Sequence, residues 1–294
     1  MIFDSHAHLV SDDVVTYPPS PLTGKLTPGE YDDPMTAGKL LDAMDGAGVG
    51  SACAVQRAHV YGYNNRYVLD SAAASGGRLR AVPVLDCRDP HTPATIAAMV
   101  REEGIAGVRF ASPTFPDTTA EWIAGDNARS SWRACLDNHI PVCIHTLHVQ
   151  RDFVVPLMIE TAKDFPDLPV IVDHVGGAHA SHVERKYLAA LGRESVAAST
   201  DDLKRMADQP NLVMKVSTIN LESVDSPAAL IRHLVALFGA GRLIWGSDVG
   251  QSRAHYKAMV NLVRNAVSGL PLSDQQAILH DNASRLYGAS AGRA

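Results

Sequence analysis

Short apolar segments alternate with helical patterns along almost the whole chain, and this alternation most restricts its fold. Eight segments are predicted strands, and most are continuous apolar runs rather than runs of alternating polarity. Such strands are typical of a parallel sheet that helices bury on both faces. Eight strand–helix units within 294 residues predict an α/β protein with a (β/α)8 TIM barrel. The predicted strands cover residues 1–4, 51–56, 79–85, 105–110, 140–144, 169–172, 212–216 and 242–245.

A doubly wound open sheet is the alternative fold, although no predicted strand is followed by a glycine-rich nucleotide-binding sequence. We expect a single domain over residues 1–294. Two segments interrupt the alternation: a polar, proline-rich loop over 10–33 and an insertion over 178–208. Loops of such length in compact domains are usually functional or mobile.

Composition and charge exclude several classes of function. The formal net charge is −6 and the chain has no basic block, so we expect neither a nucleic-acid nor a membrane partner. No apolar run approaches the roughly 18 residues of a membrane span. The four cysteines are scattered without a C-x-x-C pair, which indicates reduced core residues in a cytoplasmic protein.

Ligand-type side chains stand at the ends of several predicted strands. His6 and His8 follow the first strand at i and i+2, so strand geometry puts both imidazoles on one face. Two such imidazoles are half of a site for a cation such as zinc. The carboxyl ends of barrel strands meet at one mouth, where active sites form. We expect the following side chains to converge there: His6, His8, His145, His174 and Asp248.

Other charged side chains are less easily placed. Arg57 and Arg109 end the second and fourth strands and are expected at the same mouth. Asp173 alternates with His174, so we expect it to point outward in a structural role. Lys215 lies within the seventh strand and needs a counter-charge if it faces inward, but the sequence identifies none.

At these positions the chain resembles the amidohydrolase superfamily, a group of metal-dependent barrel hydrolases, and the resemblance covers nearly the whole chain. The matching segments are His-Ala-His at 6–8, Ile-His-Thr at 144–146, Asp-His-Val-Gly-Gly at 173–177, Trp-Gly-Ser-Asp at 245–248 and the closing segment 281–288. Three further segments are similar to the branch that contains 2-pyrone-4,6-dicarboxylate lactonase, 4-sulfomuconolactone hydrolase and sugar lactonases. They are Val-Gln at 55–56, Tyr-Gly-Tyr-Asn-Asn at 61–65 and Gly-Val-Arg-Phe at 107–110.

This resemblance implies a metal centre with His6, His8, His145 and Asp248 as ligands. Binuclear members of the superfamily place a carboxylated lysine or a glutamate at the end of strand four. Arg109 stands at that place here, and a permanent cation cannot bridge two metals. We therefore expect one divalent metal, zinc first and manganese as the alternative. A site that needs no metal would match the pyrone lactonase group.

The predicted reaction is hydrolysis of a lactone by an activated water. Asp248 is expected to act as general base and then acid, with His174 and Arg109 as the other catalytic residues. The candidate substrate-binding residues are Arg57, Arg109, Tyr61, His148 and His179. Arginines at the mouth, with Arg151, Arg185 and Arg253 from loops, favour an anionic lactone such as a ring-fission product of aromatic catabolism.

Three other functions stay open at this point. A decarboxylase of the same superfamily would use the same ligands to remove a carboxylate from an aromatic or muconate-like acid. Amide hydrolysis would share the attacking chemistry, and a barrel that only binds a metal or an acid would show no turnover. Barrels of this kind often pair, and the sequence leaves a homodimer open without indicating an interface.

Overall fold

Eight parallel strands follow one another in the order that the sequence predicts. The computed structural model describes residues 1–22, 24–112, 119–178, 200–252 and 254–288, together with residue 189. The strands are β1 (Phe3–His8), β2 (Ser51–Val55), β3 (Leu79–Val82), β4 (Val108–Ala111), β5 (Val142–His145), β6 (Val170–Val172), β7 (Leu212–Ser217) and β8 (Leu243–Gly246).

Backbone hydrogen bonds join the two ends of this strand series into a barrel. The ladders are parallel from β1 to β3 and from β4 to β8. At the seam between β3 and β4, the amide of Arg109 donates to the carbonyl of Pro83 over 2.8 Å. At the seam between β8 and β1, the amide of Asp248 donates to the carbonyl of His6 over 2.7 Å. The fold is therefore the predicted (β/α)8 barrel rather than an open sheet.

Helices cover the outside of the barrel. The helix over Pro227–Phe238 begins with a proline in its first turn and has the Ser226 hydroxyl as its N-cap. The main helices are Ala37–Ala47, Arg66–Ala74, Thr92–Glu103, Asp126–Asp137, Arg151–Lys163, Thr200–Ala207, Pro227–Phe238, Tyr256–Val267 and Asn282–Tyr287. Over the described ranges, no helix is both long enough and apolar enough to cross a membrane.

Apolar side chains form two layers, one on each side of the strands. The larger layer lies between strands and helices, and the smaller one fills the barrel interior. Cys143, Ile171, Val213 and Ile244 belong to the interior layer, and Tyr287 of the last helix packs onto it. Apolar packing fills the end of the barrel next to the last helix. It leaves the opposite end, where the strands terminate, for polar side chains.

A β-bulge in β1 decides which side chains of that strand face the interior. Asp4 pairs with Ala52 and Ala7 pairs with Ala54, so β1 uses one more residue than β2 over the same stretch. Phe3 belongs to the interior layer and Ala7 to the outer one. The extra residue lets His6 and His8 share the interior with Phe3, although strict alternation from Phe3 would turn both imidazoles outward.

The segment 10–33 packs against the chain that follows β2. The amide of Ser11 donates to the Tyr61 hydroxyl over 2.8 Å, and the amide of Ser20 donates to the carbonyl of Val60 over 2.8 Å. Tyr17 and Tyr31 contribute rings to a small apolar cluster there. The segment is therefore fastened beside the mouth of the barrel.

Candidate active site

Three ligand-type atoms meet at the mouth of the barrel. Nε2 of His6 and Nε2 of His8 are 3.1 Å apart, and Oδ1 of Asp248 lies 3.7 and 3.6 Å from them. All three side chains are buried. A tetrahedral zinc ion with bonds of ordinary length separates its ligand atoms by about 3.3 Å. The triangle therefore has nearly the size that a small divalent cation requires.

The ring tautomer of His8 and the carboxylate of Asp248 also suit a cation. Nδ1 of His8 lies 2.9 Å from the carbonyl of Val55, which can only accept, so Nδ1 carries the proton and Nε2 carries a lone pair. Burial holds the pKa of His6 and of His8 well below the usual range, so both imidazoles are neutral at pH 7. Oδ1 of Asp248 is buried without a hydrogen-bond partner among the described residues. The donor set fits a divalent cation, because that ion would satisfy the orphaned oxygen.

Backbone geometry at the end of β8 aims Asp248 at the two histidines. Asp248 has a backbone φ of 59°, which residues other than glycine rarely adopt. The Ser252 hydroxyl donates to its Oδ2 over 3.2 Å. Gly246 lies against β1, where an added Cβ would stand 2.4 Å from Cβ of His6. Burial raises the pKa of Asp248, which is the direction expected for a group that exchanges protons near neutral pH.

His174 reaches the same mouth through a left-handed turn. The φ angles of His174, Val175, Gly176 and Gly177 are 51°, 56°, 62° and 67°. The turn brings the His174 ring edge-on to His6, with ring centroids 4.9 Å apart. Burial lowers the pKa of His174, so this imidazole is also neutral.

His145 lies on the far side of His174. Their ring centroids are 5.6 Å apart, and His145 is not part of the compact group formed by His6, His8 and Asp248. Its Nδ1 is buried and has no hydrogen-bond partner in the part of the chain that the structure describes. The structure thus brings three of the four predicted ligands together, and ligation by His145 stays a prediction.

The prediction that Asp173 points outward is wrong. Asp173 is fully buried, and its carboxylate lies 2.9 Å from Nζ of Lys215 and 2.7 Å from Nε of Arg109. Ile171 faces the interior and Val172 faces the helices, so strand alternation also turns Asp173 inward. The left-handed turn ends that alternation, and His174 therefore gives no guide to the direction of its neighbour.

Asp173 is also the counter-charge that Lys215 requires. Burial alone would raise the pKa of Asp173, but the Lys215 ammonium and the Arg109 guanidinium hold it well below its usual range. Nζ of Lys215 lies 3.2 Å from Nδ1 of His6, so the network touches the ligand group directly. The sequence did not indicate this network, although a lysine within an apolar strand was the signal for it.

The predicted substrate-binding residues have different surroundings. Nη2 of Arg57 lies 2.9 and 3.1 Å from the two carboxylate oxygens of Glu30, in the segment 10–33. The Tyr61 hydroxyl accepts the hydrogen bond from Ser11, and the tyrosine is almost fully buried. Nδ1 of His148 donates to the carbonyl of Gly177 over 2.9 Å.

Arg109 is anchored to Asp173 through its Nε atom. Arg151 forms a 3.4 Å ion pair with Asp202. His179, Arg185 and Arg253 lie outside the described residues. The roles of all these residues in substrate binding stay predictions.

Solved structures share the fold over 98% of this chain. One is a candidate 2-pyrone-4,6-dicarboxylic acid hydrolase from Pseudomonas putida, with 24% identity, 97% of its own chain covered and a TM-score of 0.72. Another is an amidohydrolase from Burkholderia multivorans with bound zinc, with 18% identity, 99% covered and a TM-score of 0.72. A third is a 5-carboxyvanillate decarboxylase from Sphingomonas paucimobilis, with 15% identity, 98% covered and a TM-score of 0.69. At these identities the likeness concerns the fold alone.

Curated sequences match over shorter stretches. An L-fucono-1,5-lactonase of Burkholderia ambifaria is 27% identical over 203 residues, which are 65% of this chain and 61% of the lactonase. An uncharacterised protein of Sinorhizobium fredii is 26% identical over 135 residues, 44% of this chain and 42% of that protein. The matches thus span about half the length of these relatives. A family model described as amidohydrolase matches residues 3–289. The chain therefore belongs to the amidohydrolase family.

Proposed function

We propose that this protein hydrolyses the ester bond of a lactone, with one divalent cation held by His6, His8 and Asp248. The observation that carries the proposal is the buried Oδ1 of Asp248, which faces two neutral imidazoles and has no hydrogen-bond partner within the described ranges. The similarity to an L-fucono-1,5-lactonase supports lactones as the substrate class. Fold neighbours that were crystallised with zinc or with manganese support a divalent cation.

Each side chain has a distinct duty in this mechanism. A divalent cation held by His6, His8 and Asp248 would supply Lewis-acid chemistry at the ester carbonyl and at the attacking water. Asp248 accepts a proton from water as the oxygen attacks the carbonyl carbon, and returns it to the ring oxygen when the ester C–O bond breaks. The product is an open-chain hydroxy acid.

Two neighbours of Asp248 complete the proposed arrangement. His174 orients the attacking water, and the Arg109 guanidinium stabilises negative charge that develops on the carbonyl oxygen. The Nε–Asp173 bond anchors Arg109 at the mouth, so this cation needs no reorganisation during the reaction.

For the substrate we propose an anionic lactone that bears a carboxylate or a sulfonate. Lys215 and Arg109 both contact the single carboxylate of Asp173, so this network carries an excess positive charge beneath the mouth. Positive charge in a buried site favours an anionic ligand. Arg57 would add to this preference only when Glu30 releases it.

A direct test combines metal analysis with a panel of lactones. Protein purified without added metal should contain about one zinc or manganese per chain, and chelation should abolish proton release from the preferred lactone. Asp248→Asn should lower kcat by about 10²–10⁴-fold without loss of the circular dichroism spectrum. Asp225→Asn, at an exposed position, is the matched control. Near-normal turnover in Asp248→Asn would contradict the proposal.

Decarboxylation is the second candidate, because the fold is shared with the 5-carboxyvanillate decarboxylase. The same ligand group would then hold a cation beside an aromatic or muconate-like acid. Release of CO₂ from such an acid, with no opening of any lactone in the panel, would favour this candidate over hydrolysis.

A further inference from the structure

Two side chains at the end of β7 hold the imidazole of His174. Ser217 is the last residue of β7, and its Oγ lies 2.7 Å from Nδ1 of His174. Asn220 lies in the short helix that follows, and its Oδ1 is 3.0 Å from the Ser217 Oγ. Both side chains are almost completely buried. They are therefore shielded from water, and their hydrogen bonds are with protein groups.

Backbone groups determine the orientation of the Asn220 amide. The amide nitrogen of Ser217 lies 3.0 Å from one end of it and can only donate, so that end is the oxygen Oδ1. The carbonyl of His174 lies 3.1 Å from the other end and can only accept, so that end is Nδ2. The two contacts agree, and the reversed amide would place like partners together at both ends.

This orientation assigns the single proton of the Ser217 hydroxyl. Oδ1 of Asn220 is an acceptor, so the hydroxyl donates its proton to Oδ1 over 3.0 Å. The Ser217 Oγ is left with lone pairs toward His174 and accepts a hydrogen bond from Nδ1. Nδ1 of His174 must therefore carry the ring proton.

We propose that Ser217 and Asn220 are positioning residues that hold His174 as its Nδ1–H tautomer. Nε2 is then an unprotonated acceptor, and the ring lies against His6 and His145. His174 consequently accepts a hydrogen bond from water or substrate at Nε2 and does not donate one to a carbonyl. The tautomer is independent of the proposed lactone hydrolysis, whereas its effect on turnover depends on that function.

The same network also stabilises the left-handed turn that begins at His174. Val175 is a β-branched residue with a φ of 56°, which is an unfavourable conformation for such a side chain. The Asn220 Nδ2 bond to the His174 carbonyl ties the start of this turn to the helix after β7. Asn220 thus fixes both the position of the His174 backbone and, through Ser217, the proton on its ring.

Nuclear magnetic resonance tests the tautomer without any assay. Long-range ¹H–¹⁵N spectra of histidine-labelled protein distinguish the two neutral tautomers, and His174→Gln identifies the His174 signals by their loss. The wild type should show Nδ1–H. In Asn220→Ala the freed Ser217 proton can turn toward Nδ1, so the Nε2–H form should increase. A wild-type protein with Nε2–H at His174 would overturn the proposal, whether or not any lactone is hydrolysed.

Kinetics test the catalytic consequence. Ser217→Ala should lower kcat roughly 10- to 100-fold, the usual effect of removing the partner that orients a catalytic imidazole, while KM changes less. Ser217→Thr keeps the hydroxyl and should restore most of the activity. Ser223→Ala removes, at an exposed position, a hydroxyl that donates to the Asn220 backbone carbonyl, and serves as the matched control. Wild-type kcat in a folded Ser217→Ala protein would overturn the positioning role.

Discussion

Nζ of Lys215 lies 2.9 Å from Oδ1 of Asp173, and neither side chain is exposed to solvent. Arg109 shares the same carboxylate through its Nε atom. Loss of a buried partner leaves an uncompensated charge, which costs more than the pair itself contributes. The stability of the barrel beneath the mouth therefore depends on this one carboxylate.

Asp173→Asn should lower the free energy of unfolding by about 3–5 kcal/mol, because two buried cations lose their counter-charge. Urea denaturation followed by circular dichroism measures this loss. Asp164→Asn breaks an exposed ion pair with Arg129 and should change stability by less than about 1 kcal/mol. Adding Lys215→Met to Asp173→Asn should recover part of the loss. Equal stability of Asp173→Asn and the wild type would refute the buried network.

Glu30→Gln should lower the KM for a carboxylated lactone by about tenfold, because the substrate no longer competes with a resident carboxylate for Arg57. The KM for a neutral lactone should stay unchanged. Asp33→Asn, which removes an exposed partner of Lys39 in the same region, should alter neither value. If Glu30→Gln keeps the wild-type KM for the carboxylated lactone as well as for the neutral one, Arg57 does not bind the substrate anion.

Gly246→Ala should displace His6 and reduce the amount of cation that the protein retains. Its Cβ would stand 2.4 Å from Cβ of His6 and 3.0 Å from its amide nitrogen, and overpacking of this kind typically costs about 1–3 kcal/mol. Gly241→Ala has no atom within 4 Å of the new Cβ and is the control. Metal content after dialysis and thermal unfolding are the measurements. Full metal content in Gly246→Ala would show that β1 tolerates the methyl group.

The cysteine thiols should be unreactive in the native protein. Burial raises the pKa of Cys87 and of Cys143 to about 12, and Cys53 and Cys135 are also buried. A raised thiol pKa favours the neutral form, so at pH 8 only about one thiol in 10⁴ is the reactive thiolate. Ellman's reagent at pH 8 should therefore detect four thiols only after denaturation. A thiol that reacts rapidly in folded protein would contradict this prediction.

The sequence was a good guide to the strands and a poorer guide to the directions of charged side chains. Apolar runs identify β5 and β7 because burial on both faces selects for such runs. The inward direction of Asp173 was missed because a left-handed turn begins at the next residue, and no local pattern predicted it. Its ion pairs reach Arg109 on β4 and Lys215 on β7, so they depend on tertiary packing.

In the site, too, residues at strand ends are predictable from the sequence, whereas contacts between distant segments are not. The convergence of His6, His8 and Asp248 follows from their places at strand ends, which the barrel topology brings together. The pairing of Arg57 with Glu30 depends on how the segment 10–33 packs beside the mouth. That segment has no regular period, and its course was therefore beyond prediction from sequence.

Because of the bulge in β1, the number of residues between Phe3 and His6 decides whether the two imidazoles face the site. A deletion of Ser5 would keep every ligand in the sequence, yet it would restore simple alternation and turn both imidazoles toward the surrounding helices. A gap at this place in an alignment of relatives would therefore indicate a lost centre even where both histidines are retained. Residue spacing, and not ligand identity alone, is what an alignment of this strand has to preserve.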